Sequence, residues 1–461
     1  MLKTAVYHIY VYRIIVLVLL ALSIADKAPA NEATRSHPNI LFLVSDDHSG
    51  NDLGMAQGNR PRTPVLDQLA ASGMRFTNAY ALSPQCSPSR SAIITGRSPH
   101  ATGTSRLHST LTDEHDTVID ALRRAGYYIG AYYKVHLGEK FQSRWQFYGG
   151  KEVPYEKFFQ ERPKDQPFFL WIGFDDPHRP YQHGSISPSF DPAKIRVPGF
   201  LPDTSEVRRD LADYYDEISR MDGDVARILS LLDSNELSKN TLVVFTGDNG
   251  MPFPGAKGSL YHAGVHIPLI VRWPEHVAAG QISNEVVSLI DLAPTWLEAA
   301  GVNLLPRLEG QSLLPLLTGK STTRNRPAFF ERNWHDNLDL IRGVRSEKYL
   351  LIQNYRPEVP YPPALDLANS PSWMAIQQLH NEKKLPTELE QRYFASPRPE
   401  VELYDLEADP FQLKNLAADS SQKQVVQNLQ QLLSDWMIST NDFLQPPIPP
   451  KRGLHGELGL P

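Results

Sequence analysis

A chain of 461 residues, 41% hydrophobic and 21% charged, can bury a large core; this excludes a disordered or low-complexity protein and leaves room for one large domain and a smaller one. Its formal net charge of −6 gives no global electrostatic reason to bind nucleic acid or an anionic membrane, so a polyanionic partner needs a local basic pocket. A single cysteine, Cys86, excludes an intrachain disulfide and leaves stability to the core.

Residues 1–30 read as a signal peptide. Lys3 and Arg13 precede an apolar run at 14–25 that is short for a bilayer span, and Ala28-Pro29-Ala30 supplies small residues for cleavage. The mature chain is expected to start near Asn31, exported to the periplasm or secreted, with no stable membrane association after cleavage. A retained signal anchor is the alternative.

The apolar run 39–45 reads as a buried strand ending in Asp46-Asp47, two carboxylates that call for a cation. Thr63 caps a helix with Pro64 at its first position, Leu66, Leu69 and Ala70 on one face and Gly73 as its stop. Strand 74–80 leads into the cysteine loop. Pro88 then suits a first helical turn and Gly96 a stop, which puts Cys86 at a helix N-terminus, where unpaired N–H groups favour a thiolate or a bound oxyanion. An inert buried cysteine is the plainer alternative.

Helix 117–125 precedes strand 127–133, which delivers Lys134 and His136. Strand 168–174 ends in Asp175-Asp176-Pro177-His178. The segment 205–233 has helical periodicity through Leu211, Tyr214, Tyr215, Ile218 and Met221. Strand 241–246 ends in Gly247-Asp248-Asn249. A strand at 268–273, a helix at 288–300 and the run 312–318 complete a catalytic domain assigned to 36–320, and 319–326 is polar enough for a linker. The C-terminal subdomain, 325–455, is expected to hold strands of a small antiparallel sheet at 341–355 and 402–406, a Pro-rich loop at 355–363 and a closing helix at 420–440.

In an open α/β sheet ligands bind beyond the carboxyl ends of the strands. Four apolar runs that each end in polar residues therefore place Asp46, Asp47, Lys134, His136, His178, Asp248 and Asn249 around one site with Cys86.

Cys86-Ser87-Pro88-Ser89-Arg90 resembles the signature of the type I sulfatases, in which the cysteine becomes formylglycine. Asp46-Asp47 resembles the family's first metal pair, Gly247 to Gly250 the second, Lys134 to Gly138 its Lys-x-His-x-Gly element, and Lys257 to Tyr261 the sulfate-binding lysine segment. The resemblance implies an α/β, alkaline-phosphatase-like fold: a large mixed sheet flanked by helices, with a smaller C-terminal α+β subdomain. It also implies hydrolysis of sulfate from glycans through attack by hydrated formylglycine on sulfur, and a maturation enzyme that makes formylglycine. Asp46, Asp47, Asp248, Asn249 and an oxygen on residue 86 then form an all-oxygen site that selects Ca²⁺ over Zn²⁺, with Mg²⁺ as the alternative. Arg90 would orient the hydrate, Lys134 and Lys257 neutralise the sulfate, His178 protonate the leaving group and His136 steady the second hydroxyl.

The stretches PFFLWIGFDDPHRP (167–180), GDNGMPFP (247–254) and ELYDLEADPFQLKNL (402–416) resemble the sulfamidase branch, which makes N-sulfoglucosamine of heparan or heparin the leading substrate. Lys257 stands where that branch carries arginine, and Tyr133 and Val135 depart from the commoner Gly-Lys-Trp-His form, so O-sulfated algal or other polysaccharides are the alternative. His108, His262, Arg332, Trp334, His335 and Asn337 are candidates for loops that bind the sugar. Two other classes share these features. A phosphatase or phosphodiesterase of the same fold would carry Ser or Thr in place of Cys86, and a non-catalytic glycan-binding protein would have lost one or more of the ligands.

Overall fold

Residues 37–55, 60–361 and 363–444 are described in the computed structural model; the signal-peptide assignment and the end of the C-terminal subdomain assignment lie outside them. The run 39–45 forms β1 (Asn39–Ser45), buried along its whole length. Such a strand must be covered on both faces, and its side chains alternate accordingly. Ile40, Phe42 and Val44 join one core with Trp171 and Trp296, while Leu41 and Leu43 join another with Phe245 and Met221. Each fully buried side chain of this size contributes about 1.5–3 kcal/mol.

The other strands of the large sheet are β2 (Met74–Tyr80), β3 (Tyr128–Tyr133), β4 (Phe147–Gly149), β5 (Phe168–Gly173), β6 (Thr241–Gly247), β7 (Leu269–Arg272) and β8 (Gln281–Ser288). Their order is β4-β3-β5-β1-β6-β7-β2-β8. β3 pairs parallel with β5, and β1 parallel with both β5 and β6, so these four carboxyl ends share one edge, as the sequence predicts. β7 is antiparallel to both β6 and β2, which makes the sheet mixed and sends β2 out at the same edge.

Helices α1 (Pro64–Ala71), α2 (Cys86–Thr95), α3 (Val118–Arg124), α4 (Ser205–Ser234) and α5 (Leu292–Ala299) match the predicted ones in place. α4 buries Leu211, Tyr214, Tyr215, Ile218 and Met221, the stripe predicted for it. Thr63 differs from expectation. Its hydroxyl donates to Asp67 at 2.9 Å and accepts from the Gly54 N–H at 2.6 Å, so it ties a loop to α1 instead of capping the helix.

A second, four-stranded antiparallel sheet runs β12-β11-β10-β9, from β9 (Ala328–Trp334), β10 (Leu338–Arg345), β11 (Tyr349–Asn354) and β12 (Val401–Asp405). Residues 341–355 thus span a hairpin, not one strand, and β9 is additional to the sequence reading. So are α6 (Pro371–Asn381) and α7 (Thr387–Phe394); α8 (Lys423–Thr440) is the closing helix. β9 meets the cysteine loop through Glu331 N–H to Leu82 O at 2.9 Å and Gln85 Nε2 to Trp334 O at 3.0 Å.

Candidate active site

All ten residues of α2 are buried, although its sequence is barely apolar. Burial is tolerated because its polar groups are paired. Ser87 Oγ accepts from the His108 N–H at 2.7 Å, Ser89 Oγ donates to Asp248 O at 2.5 Å, and Ser91 Oγ accepts from Thr104 Oγ1 at 2.8 Å. Cys86 opens the helix beside the β1 carboxylates, its Sγ 3.8 Å from Asp47 Oδ1. Burial and then Asp46 push its thiol well above the ordinary range, against the pull of Lys134 and Lys257. The expected effect of the helix N-terminus on the thiol is outweighed, and the side chain stays protonated, a poor nucleophile as it stands.

Asp46, Asp47 and Asp248 bring one oxygen each within 4.8 Å of one another, all fully buried. The Asp47 N–H and the Asn249 N–H donate to Asp248 Oδ1 at 3.0 and 2.8 Å, and Asn249 Nδ2 donates to Asp47 Oδ1 at 2.7 Å. Three cations and a histidine surround the set. Arg90 Nε donates to Asp248 Oδ2 at 2.7 Å, and its Nη1 donates to Lys134 O. Lys134 Nζ pairs with Asp46 Oδ2, and Lys257 Nζ with Asp47 Oδ2 at 2.7 Å. His178 Nε2 lies 3.7 Å from Asp47 Oδ2.

These charges push the two outer carboxylates apart. Burial raises both, but Lys134, His178, Arg90 and Lys257 together hold Asp46 well below the usual carboxylate range. Asp248 is pushed up to about 7 by burial and the Asp46 charge, with Arg90 opposing. His136 is held down to about 2 by burial, Lys134 and His108, so its imidazole is neutral; its Nε2 meets His108 Nδ1 at 2.7 Å and its buried Nδ1 has no partner among the described residues.

Close backbone approach makes this convergence fit. Asp47, His108 and His136 have φ of 64°, 64° and 60°, a region costly for side chains with a Cβ and concentrated at functional sites. Gly173 ends β5 where a Cβ would fall 1.9 Å from Lys134 O, the carbonyl that Arg90 uses.

The sugar-binding candidates are scattered. His108 joins His136, and His335 Nδ1 meets Asp336 Oδ2 at 2.6 Å near the site. Arg332 is not on a loop: it lies buried on β9, paired with Asp339. Trp334 ends β9 with the Arg106 guanidinium 4.6 Å over its ring, and Asn337 is exposed in the β9–β10 connection. His262 stacks on His266 at 4.3 Å, with the Tyr80 ring 5.8 Å from its own. Asp366, which sequence reasoning missed, does reach the site. Its Oδ2 accepts from Lys257 Nζ at 2.6 Å and lies 3.5 Å from His178 Nε2. No motif marks it; it is one acid after a Pro-rich loop.

The donor set suits a hard cation. It is all oxygen, and two of its buried atoms, Asp46 Oδ1 and Asn249 Oδ1, have no hydrogen-bond partner among the described residues.

The family model described as Sulfatase matches residues 38–159 and 151–302, which span every residue named for the metal and the chemistry. The chain belongs to the sulfatase family. A second model, N-sulphoglucosamine sulphohydrolase, C-terminal, matches residues 256–396 of this sulfatase. Human N-sulphoglucosamine sulphohydrolase is 31% identical over 472 residues, covering 88% of this chain and 91% of the relative. An ulvan-active sulfatase of Formosa agariphila is 30% identical over 458 residues, covering 88% and 75%. A chain solved in complex with its substrate D-glucosamine-2-N,6-O-disulfate shares the fold, with a TM-score of 0.68 at 19% identity over 89% of this chain and 99% of that one. The protein is thus a sulfuric ester hydrolase with the large mixed sheet and small antiparallel sheet of alkaline-phosphatase-like enzymes.

Proposed function

We propose that this sulfatase is exported and removes sulfate from the terminal sugar of a glycan, with glucosamine N-sulfate as its leading substrate. The observation that carries the chemistry is the convergence of three carboxylates, Arg90, Lys134, Lys257 and His178 on Cys86. The substrate reading rests on the likeness to the human sulfohydrolase over nearly its whole length and on the match to the C-terminal model of that family.

In this reading Cys86 is converted to formylglycine by a maturation enzyme, and Asp46, Asp47, Asp248, Asn249 and residue 86 hold Ca²⁺, with Mg²⁺ as the alternative. The bound ion supplies Lewis-acid polarisation, and the hydrated aldehyde supplies a hydroxyl nucleophile that a buried thiol does not. Arg90 fixes Asp248 and the Lys134 backbone in one geometry. Lys134 and Lys257 bind the sulfate oxygens and neutralise charge that develops on them. His178 Nε2, in the partly exposed mouth of the site, gives a proton to the departing atom, and neutral His136 steadies the second hydroxyl.

O-sulfated or algal glycans are the second reading, favoured by the ulvan-active relative and by Lys257, which keeps the charge but lacks the planar fork that grips two sulfate oxygens. Free sulfate released from matched heparin disaccharides carrying only an N-sulfate or only an O-sulfate, alongside algal oligosaccharides, separates them. Release from the N-sulfated disaccharide is expected. Release from O-sulfated or algal substrates alone rejects the N-sulfate assignment and leaves the sulfatase chemistry standing.

A further inference from the structure

The carboxylate of Asp366 is half committed. Oδ2 serves Lys257 at 2.6 Å and faces His178 Nε2 at 3.5 Å, whereas Oδ1 is enclosed and has no hydrogen-bond partner among the described residues. The segment that carries it is fixed: the Leu365 N–H donates to Asp336 Oδ2 at 2.7 Å, and the same carboxylate oxygen holds His335 Nδ1 at 2.6 Å. Oδ2, the oxygen that faces His178, has a second lone pair beside the one that Lys257 uses, so it can accept one further donor.

We propose that Asp366 is a specificity residue that accepts a hydrogen bond from the sugar hydroxyl adjacent to the sulfated position. This rests on the proposed reading that His178 protonates the leaving atom. That atom then lies about 3 Å from Nε2, and Asp366 Oδ2 is 3.5 Å from the same nitrogen. Asp366 therefore flanks the leaving-group side of the bond that breaks. The nearest donor a sugar presents there is the hydroxyl on the neighbouring carbon. A carboxylate in that place also repels a neighbouring sulfate or carboxylate, so it selects sugars with a free hydroxyl beside the sulfated position.

Asp366 also pairs with Lys257, so its replacement alters the sulfate grip for every substrate, and the test must divide that effect out. Three compounds are compared: the methyl glycoside of glucosamine N-sulfate, its 3-deoxy analogue and 4-nitrophenyl sulfate, which has no sugar hydroxyl. A hydrogen bond to a charged acceptor contributes about 1.5–3 kcal/mol, or about 10- to 150-fold. For Asp366→Asn we expect kcat/KM on the glycoside, relative to that on the aryl sulfate, to fall by about that factor. The wild type should lose a comparable factor on the 3-deoxy glycoside, and the two losses should not multiply when combined.

Equal loss on glycoside and aryl sulfate, or full activity of the wild type on the deoxy compound, overturns the proposal and reduces Asp366 to a counter-ion of Lys257. The deoxy comparison needs no variant, so a poorly folded Asp366→Asn protein does not rescue the idea. Turnover of the aryl sulfate without the glycoside rejects the N-sulfate reading instead. The comparison then moves to the O-sulfated sugar that is turned over and its deoxy analogue, with the same two outcomes for Asp366.

Discussion

Replacing Arg90 by methionine keeps the length of a fully buried side chain but removes the charge that faces Asp248 at 2.7 Å and Asp46 at 3.7 Å. Deleting one partner of a buried ion pair costs about 3–5 kcal/mol when the other charge stays unpaired. Here Asp248 can escape by taking up a proton. It is already pushed up to about 7 by burial and Asp46, and losing Arg90, which holds it down, raises it further. In the unfolded chain the same group titrates near 3.8. Between those values the native state binds more protons than the unfolded state, so stability falls as pH rises until the native pKa is passed. In the wild type this fall ends near pH 7. In Arg90→Met it continues at about 1.4 kcal/mol per pH unit. The gap between the two proteins is therefore smallest in mild acid and widens above neutrality toward about 3–5 kcal/mol. Urea unfolding of both chelator-treated proteins, followed by tryptophan fluorescence from about pH 6 to about pH 9, measures it. A gap that is constant over this range, or absent, refutes the assignment of Asp248 as the group that Arg90 restrains.

Other substitutions probe the rest of the site. Cys86→Ala should fold and show neither a burst nor steady-state hydrolysis of an aryl sulfate; full activity removes the proposed nucleophile. Asp46→Asn or Asp248→Asn should reduce cation occupancy and rate together, and Ca²⁺ should restore the chelated wild type better than Zn²⁺, with occupancy read by elemental analysis. Gly173→Ala places a Cβ 1.9 Å from Lys134 O. It should lower stability by about 1–3 kcal/mol and reduce activity through the displaced lysine, and a variant indistinguishable from wild type in melting and rate contradicts the packing argument.

The carboxylates on β1 and β6 were legible in the sequence because each follows an unbroken apolar run, and parallel pairing then fixes which ends meet. β9 was not. Its stretch AFFERNW places Glu331, Arg332 and Asn333 in succession, which reads as solvated, yet all three are buried and paired, with His100, Asp339 and Arg342 respectively. Pairing set by distant residues leaves no local pattern. α6 and α7 were hidden for a simpler reason: their outer faces are polar, and their short buried stripes, Trp373 with Ile376 and Leu389 with Tyr393, lie beside a Pro-rich loop. Asp366 enters the site from that same region, as one acid among loop residues, and only its meeting with Lys257 and His178 reveals it.

The central claim is that residue 86 acts as formylglycine. Peptide mass spectrometry of the segment containing residue 86, across preparations made with and without a co-expressed formylglycine-generating enzyme, tests it most directly when each is also assayed for sulfate release. The account predicts specific activity proportional to the fraction of residue 86 converted to the aldehyde, extrapolating to zero for the thiol. A preparation that is fully active with Cys86 unmodified contradicts it.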